Sequence, residues 1–187
     1  MLAAADAIEA RLPELSEAMT SEMGGPAAMG LYNVNSLAER FRFAAGAAFD
    51  GLTGEVIPSE NPGRTMIAIR KPLGVVVSIV PWNVPALLVG NSVPDALVLG
   101  NTVVIKASEQ TPRTHGLVAA CLVDAGLPAG VVNLITNAPE DGPQVVEALI
   151  AHKHVRLIHF TGFTRIGRII AEQAGRHQKR AILELGG

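Results

Sequence analysis

The sequence predicts an α/β fold in which a parallel sheet is covered by helices on both faces. Three observations predict it. Apolar residues make up 49% of the chain and aromatics only 4%. The core must therefore be packed from Ala, Val, Leu and Ile, side chains that suit strands buried on both faces. The mean hydropathy of +0.33 implies many fully buried segments and no extensive disorder. From Pro72 onward, short apolar runs alternate with helical stretches, the signature of right-handed strand–helix–strand units. At 187 residues the chain suits one domain with a real core and is short for two generous ones.

The elements follow in order. Ile8, Leu12, Leu15 and Met19 recur three or four apart and make a helical stripe over residues 2–22. Pro13 falls inside it, which predicts two helices with Pro13 in the first turn of the second. Gly24-Gly25-Pro26 stops the pattern. A further helix is expected over 34–49 with Leu37, Phe41 and Ala45 inward. The stretch 54–71 changes texture: Pro58, Ser59, Asn61, Pro62 and Gly63 separate extended pieces at 55–57 and 66–70, as in a β-hairpin or arm outside the core. Buried strands are then expected at 75–80, 103–106, 131–135, 157–161 and 182–185. Helices are expected at 85–99, 111–125, 142–151 and 164–178, with short loops between.

Composition excludes several classes. The net charge is −2, the isoelectric point is about 6.2, and no block of Lys and Arg offers the footprint of a nucleic-acid binder. The longest apolar region, 73–105, is broken by Pro81, Asn83, Pro85, Asn91, Pro94, Asp95 and Asn101, which no membrane helix tolerates together. Asp6 and Glu9 stand where a signal peptide would be basic and then apolar. The single cysteine, Cys121, precludes an intramolecular disulfide and fits a reducing compartment. The expected location is the cytoplasm, with no nucleic-acid or membrane partner.

In parallel α/β sheets ligands bind at the carboxyl ends of the strands. Four such ends carry polar or glycine-rich groups: Pro81-Trp82-Asn83-Val84-Pro85, Lys106-Ala107-Ser108-Glu109, Phe160-Thr161-Gly162-Phe163-Thr164-Arg165-Ile166-Gly167 and Glu184-Leu185-Gly186-Gly187. In this order and at this spacing they resemble the aldehyde dehydrogenase superfamily, over nearly the whole chain. The connecting stretches 124–128 and 135–139 are similar in texture to the branch acting on aromatic aldehydes, the salicylaldehyde and vanillin dehydrogenases. The resemblance implies a Rossmann-like parallel sheet with flanking helices, here an incomplete aldehyde dehydrogenase fold.

The resemblance also implies roles. Asn83 would donate its side-chain N–H to the oxyanion; on spacing alone, capping of the next helix is the stronger reading. Ile79, Val80, Pro81 and Trp82 would line the cofactor groove, although a tryptophan is more often a core residue. Lys106 and Glu109, by type ordinary surface charges, would hold the adenosine ribose hydroxyls. A carboxylate there repels a 2′-phosphate, so NAD is expected in preference to NADP. Gly142 would lie near the adenine. Phe160, Thr161, Gly162, Phe163 and Ile166 would approach the pyrophosphate at the start of a helix. Gly162 and Gly167 lack the G-x-G-x-x-G pattern, and as an isolated motif they read as a tightly packed strand-to-helix turn. Phe163 stands where the family usually has serine, which puts one phosphate hydrogen bond in doubt. Glu184 would serve as general base for the thiol or the water, a role that a partly buried carboxylate with a raised pKa suits; by residue type it reads as an exposed glutamate before a turn. Gly186 and Gly187 would let the nicotinamide end come close to the backbone, with Leu185 beside them in the cofactor groove.

Cys121 lies mid-helix in apolar company, where a thiol is inert, and the family's nucleophile follows the glutamate motif. His115, His152, His154, His159 and His177 form no metal-ligand pattern, so no metal is expected. Two readings stand. In one, the chain is the partial cofactor-binding domain (1–187) of an NAD-dependent aldehyde dehydrogenase. Its catalytic domain and nucleophile would then lie beyond Gly187. Its 54–71 arm resembles oligomerisation strands, so the full-length protein would be a homo-oligomer acting on a small aldehyde. In the other, it is a dinucleotide-binding or interaction module that turns nothing over. On its own the chain is expected to be inactive and prone to associate through the sheet edge near 182–185. An unrelated doubly wound dehydrogenase is disfavoured by the missing glycine fingerprint.

Overall fold

The structure, a computed structural model, describes residues 1–186; Gly187 lies outside them. Three helices come first: α1 (Leu2–Ala10), α2 (Leu12–Met23) and α3 (Ala27–Leu52). Pro13 sits in the first turn of α2, and Gly24 ends that helix at φ 72°, a conformation glycine adopts without strain. The long helix begins seven residues before the expected start, and its inward turn uses Ala44, not Ala45. Gly30 breaks the apolar pattern in sequence, yet it lies where α3 meets α2. A Cβ there would stand 2.9 Å from the Ser16 Cα.

Strands β1 (Glu55–Ile57) and β2 (Met66–Ala68) pair antiparallel as a ribbon, and all six of their residues are exposed. The main sheet contains β3 (Val75–Ile79), β4 (Thr102–Lys106), β5 (Val132–Ile135), β6 (Val155–Phe163) and β7 (Arg180–Gly186). Its order is β5-β4-β3-β6-β7, with every neighbour parallel. The chain enters at the centre, builds outward to β5, then returns across β3 to β6. That reversal opens a crevice at the carboxyl ends of β3 and β6.

Four stretches connect the strands. The expected helix over 85–99 is two, α4 (Pro85–Val89) and α5 (Val93–Val98). Pro94 has no N–H to give a continuing helix and is accommodated in the first turn of a new one. Next come α6 (Pro112–Asp124), α7 (Gly142–Ala151) and α8 (Thr164–Arg176). Val76, Val80, Val103 and Ile105 pack in one core with α1 to α6. Val77, Ile79, Ile158 and Phe160 pack in another with Ile150 of α7 and Ile170 of α8. The sheet is thus buried on both faces by alternation along its strands. Among the described residues nothing pairs with the outer edge of β7, and Ile182 and Leu185 are exposed. No helix among the described residues is long and apolar enough to cross a membrane.

Candidate cofactor groove

The crevice holds a cavity of about 380 Å³. Ile79, Val80, Pro81 and Trp82 line it from the end of β3, Lys106 and Glu109 from the end of β4 and the turn after it, and Gly142 from α7. Phe160, Thr161, Gly162, Phe163 and Ile166 line it from β6 and α8. A second cavity of about 580 Å³ shares Pro81, Trp82, Thr161, Gly162 and Phe163 with the first, and adds Asn83, Glu184, Leu185 and Gly186. Every residue expected at the site therefore lines one cavity or both. Sequence reasoning missed Ser108, Pro143, Val146, Ile169, Ile170 and Gln173. The α8 members were within reach: with Ile166 they recur at helical spacing, the stripe a helix turns toward its sheet.

The first cavity is polar at one end. Lys106 is only 5% exposed, in contrast to a surface charge, and its Nζ donates to Glu109 Oε1. A buried ammonium needs such a partner. Asn137 Nδ2 donates to the same oxygen at 2.9 Å and to the Ala138 carbonyl at 2.7 Å. Partial burial works to raise the Glu109 pKa, but Lys106, the Glu109 backbone and Asn137 together hold it below the usual carboxylate value. Behind this end, the buried His115 accepts the Ser108 N–H at Nδ1 (3.3 Å). Burial pushes its pKa down to about 4, against the Pro85 backbone and Glu22, which pull it up.

The second cavity gathers Asn83 and Glu184. Asn83 is exposed. The residue at the start of α4 is Val84, with no side-chain cap, so the capping role that spacing favoured is not formed. Glu184 is exposed, not partly buried, because β7 is the edge strand. Its Oε2 accepts from Asn91 Nδ2 at 3.1 Å. Phe163 precedes α8 and supplies no side-chain cap, which leaves the first-turn N–H groups beside the wall shared by the two cavities. Gly162 lies within β6 and not in a turn, and a Cβ there would come 2.6 Å from the Phe160 ring. Gly167 lets α8 pack on β7, since its Cβ would meet Leu185 at 2.5 Å.

Cys121 sits in the core facing the first three helices. Burial pushes its thiol pKa up, with Arg11 pulling the other way, so the thiol is held in its unreactive form, and it lines neither cavity.

Comparison with known proteins places the chain in a family. A family model described as "Aldehyde dehydrogenase family" matches residues 1–187. Vanillin dehydrogenase of Pseudomonas fluorescens is 48% identical over 187 residues, all of this chain and 38% of the relative. The crystal structure of a salicylaldehyde dehydrogenase from Pseudomonas putida G7, complexed with salicylaldehyde, superposes with a TM-score of 0.96 at 44% identity, covering all of this chain and 38% of that one. A structure of betaine aldehyde dehydrogenase from Staphylococcus aureus in complex with NAD+ gives 0.92 at 33% identity, covering all of this chain and 36% of that one. Other matched proteins are named for NADP. The chain thus spans 38% of the length of the curated relatives it matches over its whole extent.

Proposed function

This chain belongs to the aldehyde dehydrogenase family, and on that premise we propose that it forms the cofactor-binding part of an NAD-dependent enzyme that oxidises an aldehyde to the acid. The names of the relatives, salicylaldehyde and vanillin dehydrogenase, favour an aromatic aldehyde. The observation that supports the reading best is the ordering of the groove. A buried ammonium paired with a half-buried carboxylate stands at one end, and an exposed carboxamide and carboxylate line the cavity at the other.

The residues present fit a dinucleotide. Gly142 leaves open a space that a Cβ would occupy 3.3 Å from Glu109 Oε1, beside donors and acceptors suited to ribose hydroxyls. Between the polar ends lies the start of α8, which has no side-chain cap and whose N-cap residue Phe163 lines both cavities, a place where an anionic group is favoured. The bound nicotinamide would accept the hydride lost by the aldehyde carbon. Asn83 donates its N–H to the oxyanion that forms on that carbon. Glu184, held by Asn91, takes the proton of the water that releases the acid. The nucleophile is not Cys121, whose thiol is buried in the core against the first three helices and does not line the groove; on this reading it is supplied from outside these 187 residues.

That same buried cysteine favours a second reading, a dinucleotide-binding module without turnover of its own. The test is titration of the purified chain with NAD, followed by the quenching of Trp82, together with an assay for aldehyde oxidation. The expected result is NAD binding that Lys106→Ala and Glu109→Ala weaken, and no turnover. Failure to bind NAD overturns the groove assignment, and turnover that survives Cys121→Ser overturns the role given to an external nucleophile.

A further inference from the structure

We infer that Asn137 is a specificity-determining residue, which disfavours a 2′-phosphorylated dinucleotide by latching Glu109 in place. The inference rests on the dinucleotide reading of the groove. Asn137 follows β5 and is joined to Glu109 across 28 residues of chain by the 2.9 Å bond to Oε1. The same amide nitrogen donates to the Ala138 carbonyl at 2.7 Å, so the side chain is fixed through its NH₂ group. Glu109 Oε1 also accepts from the buried Lys106. The position of a Cβ on Gly142 lies 3.3 Å from Glu109 Oε1 and 3.7 Å from Asn137 Nδ2, so the start of α7 closes the cluster on a third side. Three segments thus define where this carboxylate stands.

A 2′-phosphate cannot settle beside a carboxylate held there, because the two like charges repel at close range. It is accepted only if Glu109 swings aside and Lys106 turns to the phosphate. That movement breaks two hydrogen bonds to Glu109. The ammonium recovers its loss from the phosphate, as a charge-assisted pair. The Asn137 amide recovers nothing, and its bond to a charged acceptor is of the strong kind. Asn137 therefore supplies the part of the discrimination that the incoming ligand does not repay.

The experiment measures dissociation constants of NAD and NADP for the purified 187-residue chain by Trp82 quenching, checked by calorimetry. Wild type, Asn137→Ala, Glu109→Ala and the double variant are compared, each with a thermal melt as a folding control. Asn137→Ala should lower the ratio Kd(NADP)/Kd(NAD) about ten-fold, chiefly through tighter NADP. In the Glu109→Ala background the same substitution should leave the ratio unchanged, because the latch then has nothing to hold. If Asn137→Ala does not fold, Asn137→Ser, too short to reach Glu109, reads the same ratio. An unmoved ratio with NAD binding intact overturns the inference, as does an equal shift in both backgrounds. Absence of any dinucleotide binding by wild type overturns the groove reading itself, and is told apart because it is seen before any variant is compared.

Discussion

Glu22 caps the helix that begins before Thr114. Its carboxylate accepts the Thr114 backbone N–H at 2.9 Å and the Thr114 hydroxyl at 2.6 Å, across 92 residues of chain. The Arg113 N–H joins them at 2.7 Å. The residue in the N-cap position, Thr111, provides no side-chain cap, and its hydroxyl is buried without a partner. The acceptor that α6 needs at its start thus comes from the last turn of α2. The N-terminal helices are thereby fastened to the element that follows Lys106 and Glu109.

Glu22→Ala should destabilise the protein by about 1–2 kcal/mol, the usual range for a lost helix cap. Glu22→Gln, which keeps an acceptor oxygen but not the charge, should lose less. Urea unfolding measures both, and an unchanged midpoint for Glu22→Ala would show that the contact is idle.

Gly30→Ala should cost about 1–3 kcal/mol, the range for overpacking a closed contact. The added carbon would stand 2.2 Å from the Ser16 hydroxyl and 2.9 Å from its Cα. Adding Ser16→Ala removes the first clash and leaves the second, so rescue should be partial. Complete rescue would place the strain in the hydroxyl alone.

His115 should make the protein acid-sensitive. Its folded pKa is pushed down to about 4 by burial, with Lys106 pushing the same way and the Pro85 backbone and Glu22 opposing. An unfolded imidazole titrates near 6.5. Between those values the unfolded chain binds a proton that the folded chain refuses. The stability is therefore full above about pH 6.5 and declines as pH falls toward 4, by about 3 kcal/mol in all. His159 is lowered too, again by burial, and adds the same sign. His115→Asn, whose side-chain oxygen can still accept the Ser108 N–H, should flatten the decline measured by denaturation across that range. An undiminished slope would assign it to other groups.

The sheet was legible in the sequence because its central strands are short apolar runs between breakers, and burial on both faces demands that pattern. What escaped depended on partners distant in the chain. Strand β6 extends back to Val155, which pairs with Val75 of β3, and on to Phe163, which pairs with Gly186 of β7. Helix α3 starts seven residues early, and within that added length Gly30 lies close against the Ser16 backbone. At the site, the strand-end rule brought the charged, polar and glycine residues to one rim. It could not reveal that Lys106 is buried, that Glu184 stands on an open edge, or that Asn137 reaches back to Glu109. Each is a property of the neighbour, not of the local run.

Among the described residues, strand β3 is the first of its sheet along the chain and the middle one in space. When the protein is made from its N-terminus, that strand emerges with both of its edges unsatisfied. One is closed when β4 follows, and the other waits until β6, when Val77 at last meets Ile158. The order of synthesis therefore imposes an order of assembly, centre before margins. The half that carries Lys106 and Glu109 can form before the half that carries Gly162 and Glu184, so the groove between them is completed only when the later half docks.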